Sequence, residues 1–151
     1  MGFLSRSIPD QDWAKLAKPI FELAKDSAAA FSEAIRQEDV PRQAEAIGTI
    51  VLRFPSLAES LQRSPRPTSA EARQANKNLQ LGLKDYVDAA KQANKLMVDL
   101  HNGLLARSTA GGIEGRAAAG RIHFQWTLYQ EFAQTAERHL ENARAFLERA
   151  G

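Results

Sequence analysis

The chain has 151 residues, 44% hydrophobic and 25% charged, which is enough to bury the core of a single domain spanning residues 1–151. Its 20 basic and 18 acidic residues alternate in sign along the chain, so no nucleic-acid partner is indicated. The lack of cysteine excludes disulfides, thiolate metal ligands and thiol nucleophiles. The apolar runs are too short for a membrane span, so we expect a cytoplasmic protein without a membrane partner.

Two helices are predicted in the first half of the chain. The first begins near Ser7 or Asp10, ends near Gln37 and has two adjacent apolar stripes, which is typical of a helix packed in a bundle. The stripes consist of Leu16, Ile20, Leu23, Ser27, Ala30 and Ala34, and of Ala17, Phe21, Ala24, Ala28, Phe31 and Ile35. The second helix begins at Asp39 and keeps a helical period to about Arg63. The short connection predicts that the two helices are antiparallel neighbours.

A third, longer helix is predicted over residues 68–105. Thr68 is the expected N-cap, and Glu71 three residues later completes a capping box. The apolar positions that follow have heptad spacing: Leu79, Leu83, Tyr86, Ala90, Ala93, Met97, Leu100 and Leu104. A helix of about 38 residues is unusually long for a globular protein, so it needs packing partners along its whole length.

Residues 107–120 contain four glycines and allow two interpretations, a flexible loop or the first turns of a fourth helix that begins near Ile113. The fourth helix has a seam of Ile122, Trp126, Tyr129, Ala133, Ala136, Leu140, Ala143, Leu147 and Ala150. Continued backwards, the same spacing reaches Ala119, Gly115 and Gly112, so we favour the helix although each glycine costs about 1 kcal/mol. Residues 113–116 match a factor Xa cleavage sequence that ends at Arg116.

These patterns predict an all-α protein, an up-down-up-down four-helix bundle in which the third and fourth helices form a longer hairpin. The turn near Asp39 should lie level with about residue 92 of the third helix, so about 15 residues of each long helix, or about 22 Å, extend beyond the first pair. The alternative is a third helix that is broken near Asn94 or Gly103 and folds back, which leaves no overhang.

The overhang carries a second apolar stripe, which indicates an interface. The predicted interface residues are Leu96, Val98, Leu105, Phe124 and Leu128. An exposed patch of this kind favours a homodimer formed by two hairpins about a two-fold axis. We therefore expect a non-enzymatic helical interaction or scaffold protein that self-associates and that can also bind another protein.

The alternative function is a small-molecule sensor or carrier, with Met97, Trp126, Tyr129 and Phe132 around a pocket between helices. No cofactor is indicated by any motif.

Metal and catalytic sites have little support in the sequence. His101, His123 and Asp99 lie near the turn between the third and fourth helices and are the candidate metal ligands. No Glu-x-x-His or His-x-x-x-His pair accompanies them. The acids of the fourth helix alternate with arginines, which is typical of a solvated face, and Ser108 lacks an evident base. His139 has no partner that the sequence identifies.

Overall fold

The computed structural model describes residues 7–37 and 39–150, and it confirms the all-α class. The helices are α1 (Asp10–Gln37), α2 (Val40–Arg63), α3 (Ala70–His101), α4 (Leu104–Thr109) and α5 (Gly112–Ala150). Two strands of two residues each, β1 (Ser7–Ile8) and β2 (Arg66–Pro67), pair in parallel. In the part of the chain so described, no helix is both long enough and apolar enough to cross a membrane.

The predicted limits of the first two helices are confirmed. Asp39 is the N-cap of α2, and its Oδ1 accepts a hydrogen bond of 3.2 Å from the backbone N–H of Arg42. Pro41 occupies the first turn, where a missing N–H leaves no helical hydrogen bond unmade. The Asp39 side chain and Pro41 thus stabilise the first turn of α2.

The predicted start of the third helix is wrong by one residue. Ser69 is the N-cap of α3, because its Oγ accepts a hydrogen bond of 3.0 Å from the N–H of Ala72. The hydroxyl of Thr68 instead donates to the backbone oxygen of Ile8, at 2.8 Å. A long-range contact therefore engages the side chain that the capping box would have used.

The third helix also ends earlier than predicted. α3 has 32 residues and stops at His101, and Gly103 follows with a φ of 94°, a left-handed conformation that glycine adopts without strain. The chain resumes as the short helix α4, in which Leu104 is only 2% exposed. The prediction of one continuous helix is therefore corrected to two helices separated by a glycine turn.

The fourth long helix begins at Gly112, as the favoured interpretation of the glycine segment predicts. Gly111 and Gly112 have φ angles of 79° and 71°, so glycine is required at the turn that enters α5.

The interface between α3 and α5 runs through the middle of the molecule, with the two helices antiparallel. Arg149 near the end of α5 pairs with Glu71 near the start of α3, and Gln125 donates to Asp99 at 2.7 Å near the other end. The helices are in close contact at Gly82, where a Cβ would lie 2.7 Å from Cδ2 of Leu140.

Aromatic pairs attach α1 and α2 to this central pair. The pairs are Trp13 with Phe146, Phe31 with Tyr129, and Phe54 with Tyr86, with ring centroids 6.0, 5.8 and 6.1 Å apart.

Of the two stripes predicted for α1, the one that contains Phe21 and Phe31 is buried throughout. The other stripe is partly in solvent, since Leu16 is 47% exposed and Leu23 is 37% exposed. The prediction of one wide buried face is therefore corrected to a narrower one.

The predicted overhang is shorter than expected. The ring of Phe31 packs on Tyr129, and α1 continues only six residues further, so its end lies level with about residue 123 of α5. Because Gln125 hydrogen-bonds Asp99 and the two helices are antiparallel, this level lies at about residue 101 of α3, not at residue 92. About ten residues of α5, or about 15 Å, therefore extend beyond the first two helices, with α4 packed mainly against them.

The alternative prediction, a broken third helix that folds back, was right about a break near Gly103. However, α4 continues along α5 and does not fold back on α3.

Candidate functional site

The part of the structure that extends beyond the first two helices is the projecting hairpin, residues 103–122, which comprises α4 and the first turns of α5. The helix α4 packs against α5, and Leu104 and Ala118 are buried in this segment. At Gly115 the backbones approach so closely that a Cβ would lie 3.4 Å from the backbone oxygen of Arg107. Gly115 and Ala118, two of the small residues of this segment, therefore pack within the chain.

One side of α5 carries a row of apolar and small residues that we call the α5 stripe: Ile113, Ala117, Gly120, Phe124 and Leu128. The first four positions recur at i, i+4, i+7 and i+11, the spacing of a coiled-coil seam, and Leu128 follows about one helical turn after Phe124. Ile113 is 80% exposed and Phe124 is 64% exposed, and Leu128 is half-buried. The buried positions of the same segment are Gly115, Ala118, Gln125 and Tyr129. The seam that packs within the chain and the α5 stripe thus lie on different sides of the helix.

Of the five predicted interface residues, Phe124 and Leu128 belong to the α5 stripe. Leu96 is corrected, because it is only 8% exposed and cannot form part of an exposed patch. It lies seven residues after Ala89, on the side of α3 that packs within the chain. Val98 and Leu105 are 48% and 58% exposed, on α3 and α4 respectively.

The candidate metal ligands are not assembled into one site. The carboxylate of Asp99 accepts a hydrogen bond of 2.7 Å from Gln125 and lies 3.0 Å from the guanidinium of Arg121. The Gln125 hydrogen bond, assisted by the charge of Arg121, lowers the pKa of Asp99. His101 and His123 are both exposed. Within residues 7–37 and 39–150, no group of three or more His, Asp or Glu side chains is arranged to hold a metal.

The four residues proposed to line a ligand pocket pack against one another and against the core. The rings of Trp126 and Tyr129 are stacked with centroids 5.3 Å apart, and Tyr129 is 7% exposed. Burial raises the pKa of Tyr129. Met97 and Phe132 are half-buried against the core. Three clefts on the surface, between α2 and α3, between α1 and α5, and between α1 and α2, are lined by other residues.

A polar cluster that sequence reasoning missed surrounds His139. Its Nδ1 lies 3.1 Å from Oδ1 of Asn78, and its Nε2 lies 3.6 Å from Oδ2 of Asp85. Burial raises the pKa of Asp85, and the charge of His139 opposes this shift. Both partners come from α3, so only the register of α3 against α5 could have revealed the cluster.

The groups considered for catalysis take part in local surface contacts. Arg144 pairs with both Glu141 and Glu148 along α5. The hydroxyl of Ser108 donates to the backbone oxygen of Leu105 at 2.6 Å, within α4.

The fold and its surfaces define an all-α protein with an apolar end. In the described part of the chain, five of the nine exposed large hydrophobic side chains lie between residues 98 and 126. Comparison of the chain with protein-family models, curated proteins and solved structures found no match. The function must therefore be inferred from the geometry of the chain itself.

Proposed function

We propose that this chain is a non-enzymatic helical interaction protein that forms a homodimer through the α5 stripe. In this proposal α1, α2, α3 and α5 form an up-down-up-down bundle, and α4 extends the third helix. The aromatic pairs support this arrangement, because Trp13 lies against the end of α5 and Phe31 lies about halfway along it.

The observation that carries the proposal is the exposure of Ile113 and Phe124, which are 80% and 64% exposed on a helix that projects from the bundle. Burying a side chain of this size contributes about 1.5–3 kcal/mol, so leaving both in water is unfavourable. Their spacing matches a coiled-coil seam, which favours a second helix as the partner surface.

The small residues between them fit a close helix pair. Ala117 and Gly120 are exposed, and a Cβ built at Gly120 would meet nothing within 4 Å. Two copies of α5 can therefore approach closely at these positions, with Ile113 and Phe124 packing above and below. A two-fold axis through this region makes the contact self-complementary and closed.

Sedimentation equilibrium at micromolar concentration tests the proposal. Wild-type protein should have about twice the 16.7 kDa mass of one chain. Phe124→Glu should be monomeric, because it places a charge in the seam. Leu52→Glu is the matched control, since Leu52 is 76% exposed on α2 and away from the α5 stripe. A monomeric wild type contradicts self-association, and a dimer that survives Phe124→Glu contradicts the assignment of the surface.

A further inference from the structure

A second surface, which we call the basic cleft, lies between α2 and α3 and is lined by no residue of α4 or α5. Its volume is about 760 Å³. Its apolar floor consists of Ala58 and Leu81, which are half-buried, and of Phe54, Leu83 and Val87, which are buried.

Positive charge surrounds this floor. Five basic side chains and one acidic side chain line the cleft: Arg66, Arg73, Lys77, Lys84, Lys91 and Asp88. The whole chain has a net charge of only +2, so the basic cleft concentrates the excess. Lys77, Lys84 and Lys91 are exposed, and none of them pairs with a carboxylate of residues 7–37 or 39–150. These ammonium groups are available to a ligand.

The spacing of the lysines indicates an extended ligand. Lys77, Lys84 and Lys91 are seven residues apart, so they lie on the same side of α3. With Arg73 they cover about 27 Å along the helix axis. A single carboxylate or phosphate headgroup can contact only one or two of these cations, whereas an extended anion can contact all of them.

The apolar floor of the basic cleft favours one of two kinds of extended anion, an acidic helix, over the other, a single strand of nucleic acid. Proteins that bind single-stranded nucleic acid typically stack its bases on exposed aromatic side chains, and the aromatic residue of the cleft, Phe54, is 0% exposed. An amphipathic helix instead needs an apolar groove flanked by charges at a seven-residue repeat, which the basic cleft provides.

We propose that the basic cleft binds an acidic amphipathic helix of a partner protein, with its apolar side chains on the floor and its carboxylates against Lys77, Lys84 and Lys91. This inference is independent of self-association, since the two surfaces share no residue.

A fluorescence-anisotropy titration with a synthetic peptide tests the inference. The probe has three heptads with Leu at the a and d positions and Glu at e and g, and the control peptide has Lys in place of Glu. The Glu peptide should bind and the Lys peptide should not. The triple variant Lys77→Glu, Lys84→Glu, Lys91→Glu should weaken binding by about tenfold or more, because three charge pairs become repulsive.

The matched control is a triple reversal on α1, at Lys15, Lys18 and Lys25, which changes the net charge equally and lies outside the basic cleft. It should leave the affinity for the Glu peptide within about twofold. Circular dichroism establishes that both variants are folded. Absence of binding by the Glu peptide overturns the inference, as does an equal loss in both triple variants. Tighter binding of a single-stranded oligonucleotide or of phosphatidylglycerol vesicles to the wild type, lost in the α3 variant, overturns the choice of a helix as the occupant.

Discussion

At the scale of single residues, the polar cluster around His139 makes the stability of the protein depend on pH. Both ring nitrogens face oxygen acceptors, at 3.1 Å from Asn78 and 3.6 Å from Asp85. Burial raises the pKa of Asp85, so the carboxyl group of Asp85 binds a proton more tightly in the folded protein than in the unfolded chain. Asp85 therefore contributes stability at low pH that is lost as the pH rises through its folded pKa.

The substitution Asp85→Asn removes this dependence, because an amide does not titrate. Relative to the wild type, the variant should gain free energy of unfolding as the pH is raised from about 3 to about 6. Urea unfolding at several pH values measures the difference. A difference that is constant with pH, or that moves in favour of the wild type, contradicts the raised pKa.

At Gly82 the helix α3 lies in close contact with α5, and replacement of this glycine tests the packing. In Gly82→Ala the added Cβ would lie 2.7 Å from Leu140 and 3.3 Å from the backbone oxygen of Ala136. We expect a loss of about 1–3 kcal/mol from overpacking, which exceeds the gain in helix propensity. Gly48→Ala is the control, because nothing lies within 4 Å of a Cβ there, and it should stabilise the protein by about 0.5–1 kcal/mol. Equal effects in urea unfolding would contradict the close contact.

At the scale of elements, the start of α1 is attached to the start of α3 by one carboxylate. Oδ1 of Asp10 accepts a hydrogen bond of 3.1 Å from the N–H of Ser69, and hydrogen bonds from Ser69 lower the pKa of Asp10. Because its pKa is lowered, Asp10 stabilises the folded protein at pH values above its ordinary pKa. This stabilisation is lost as the pH falls through the pKa that Asp10 has in the folded protein. In urea unfolding, Asp10→Ala should therefore have a lower free energy of unfolding than the wild type at pH 7. The difference should shrink in strong acid, and a difference that grows with acidity would contradict the assignment.

The entry into α5 can be tested by proteolysis. Arg116 lies in the second turn of α5, and Gly115 before it packs against α4. Because a protease needs an extended segment, factor Xa should not cut native protein after Arg116 and should cut it readily in urea. Cleavage of the native protein at this site, before any other bond, would mean that residues 112–116 form a loop in solution.

At the scale of the whole molecule, local signals explain which predictions succeeded. The limits of α1 and α2 follow from the Asp39 cap and the apolar period, which depend on neighbouring residues alone. The break at Gly103 interrupts a heptad pattern that continues on both sides, so the pattern favours a continuous helix, and the φ of 94° shows that the break, which was the alternative, is present. Trp126 belongs to the predicted seam of α5 but is 38% exposed. The prediction missed this because the spacing of apolar residues does not show which of two adjacent stripes packs against a neighbouring helix. The His139 cluster and the basic cleft join residues from different helices, so sequence spacing alone could not predict them.

The proposed dimer also changes the stability of one region within the molecule. α4 has six residues, and helices shorter than about 12 residues are marginal in water without tertiary packing. Only Leu104, Gly115 and Ala118 are buried among residues 103–122, so in a monomer local opening of the projecting hairpin should require less free energy than opening of the core.

Amide hydrogen exchange at two protein concentrations tests this coupling. If α5 pairs with a second copy, protection of residues 104–122 should rise with concentration, because association favours the closed hairpin by mass action. Protection around Leu83, which is 0% exposed, should change little. In Phe124→Glu the hairpin should exchange rapidly at both concentrations, whereas Leu52→Glu should behave as the wild type does. Protection of the hairpin that is high and independent of concentration in all three proteins would mean that it is stable in the monomer and that its exposed stripe does not self-associate.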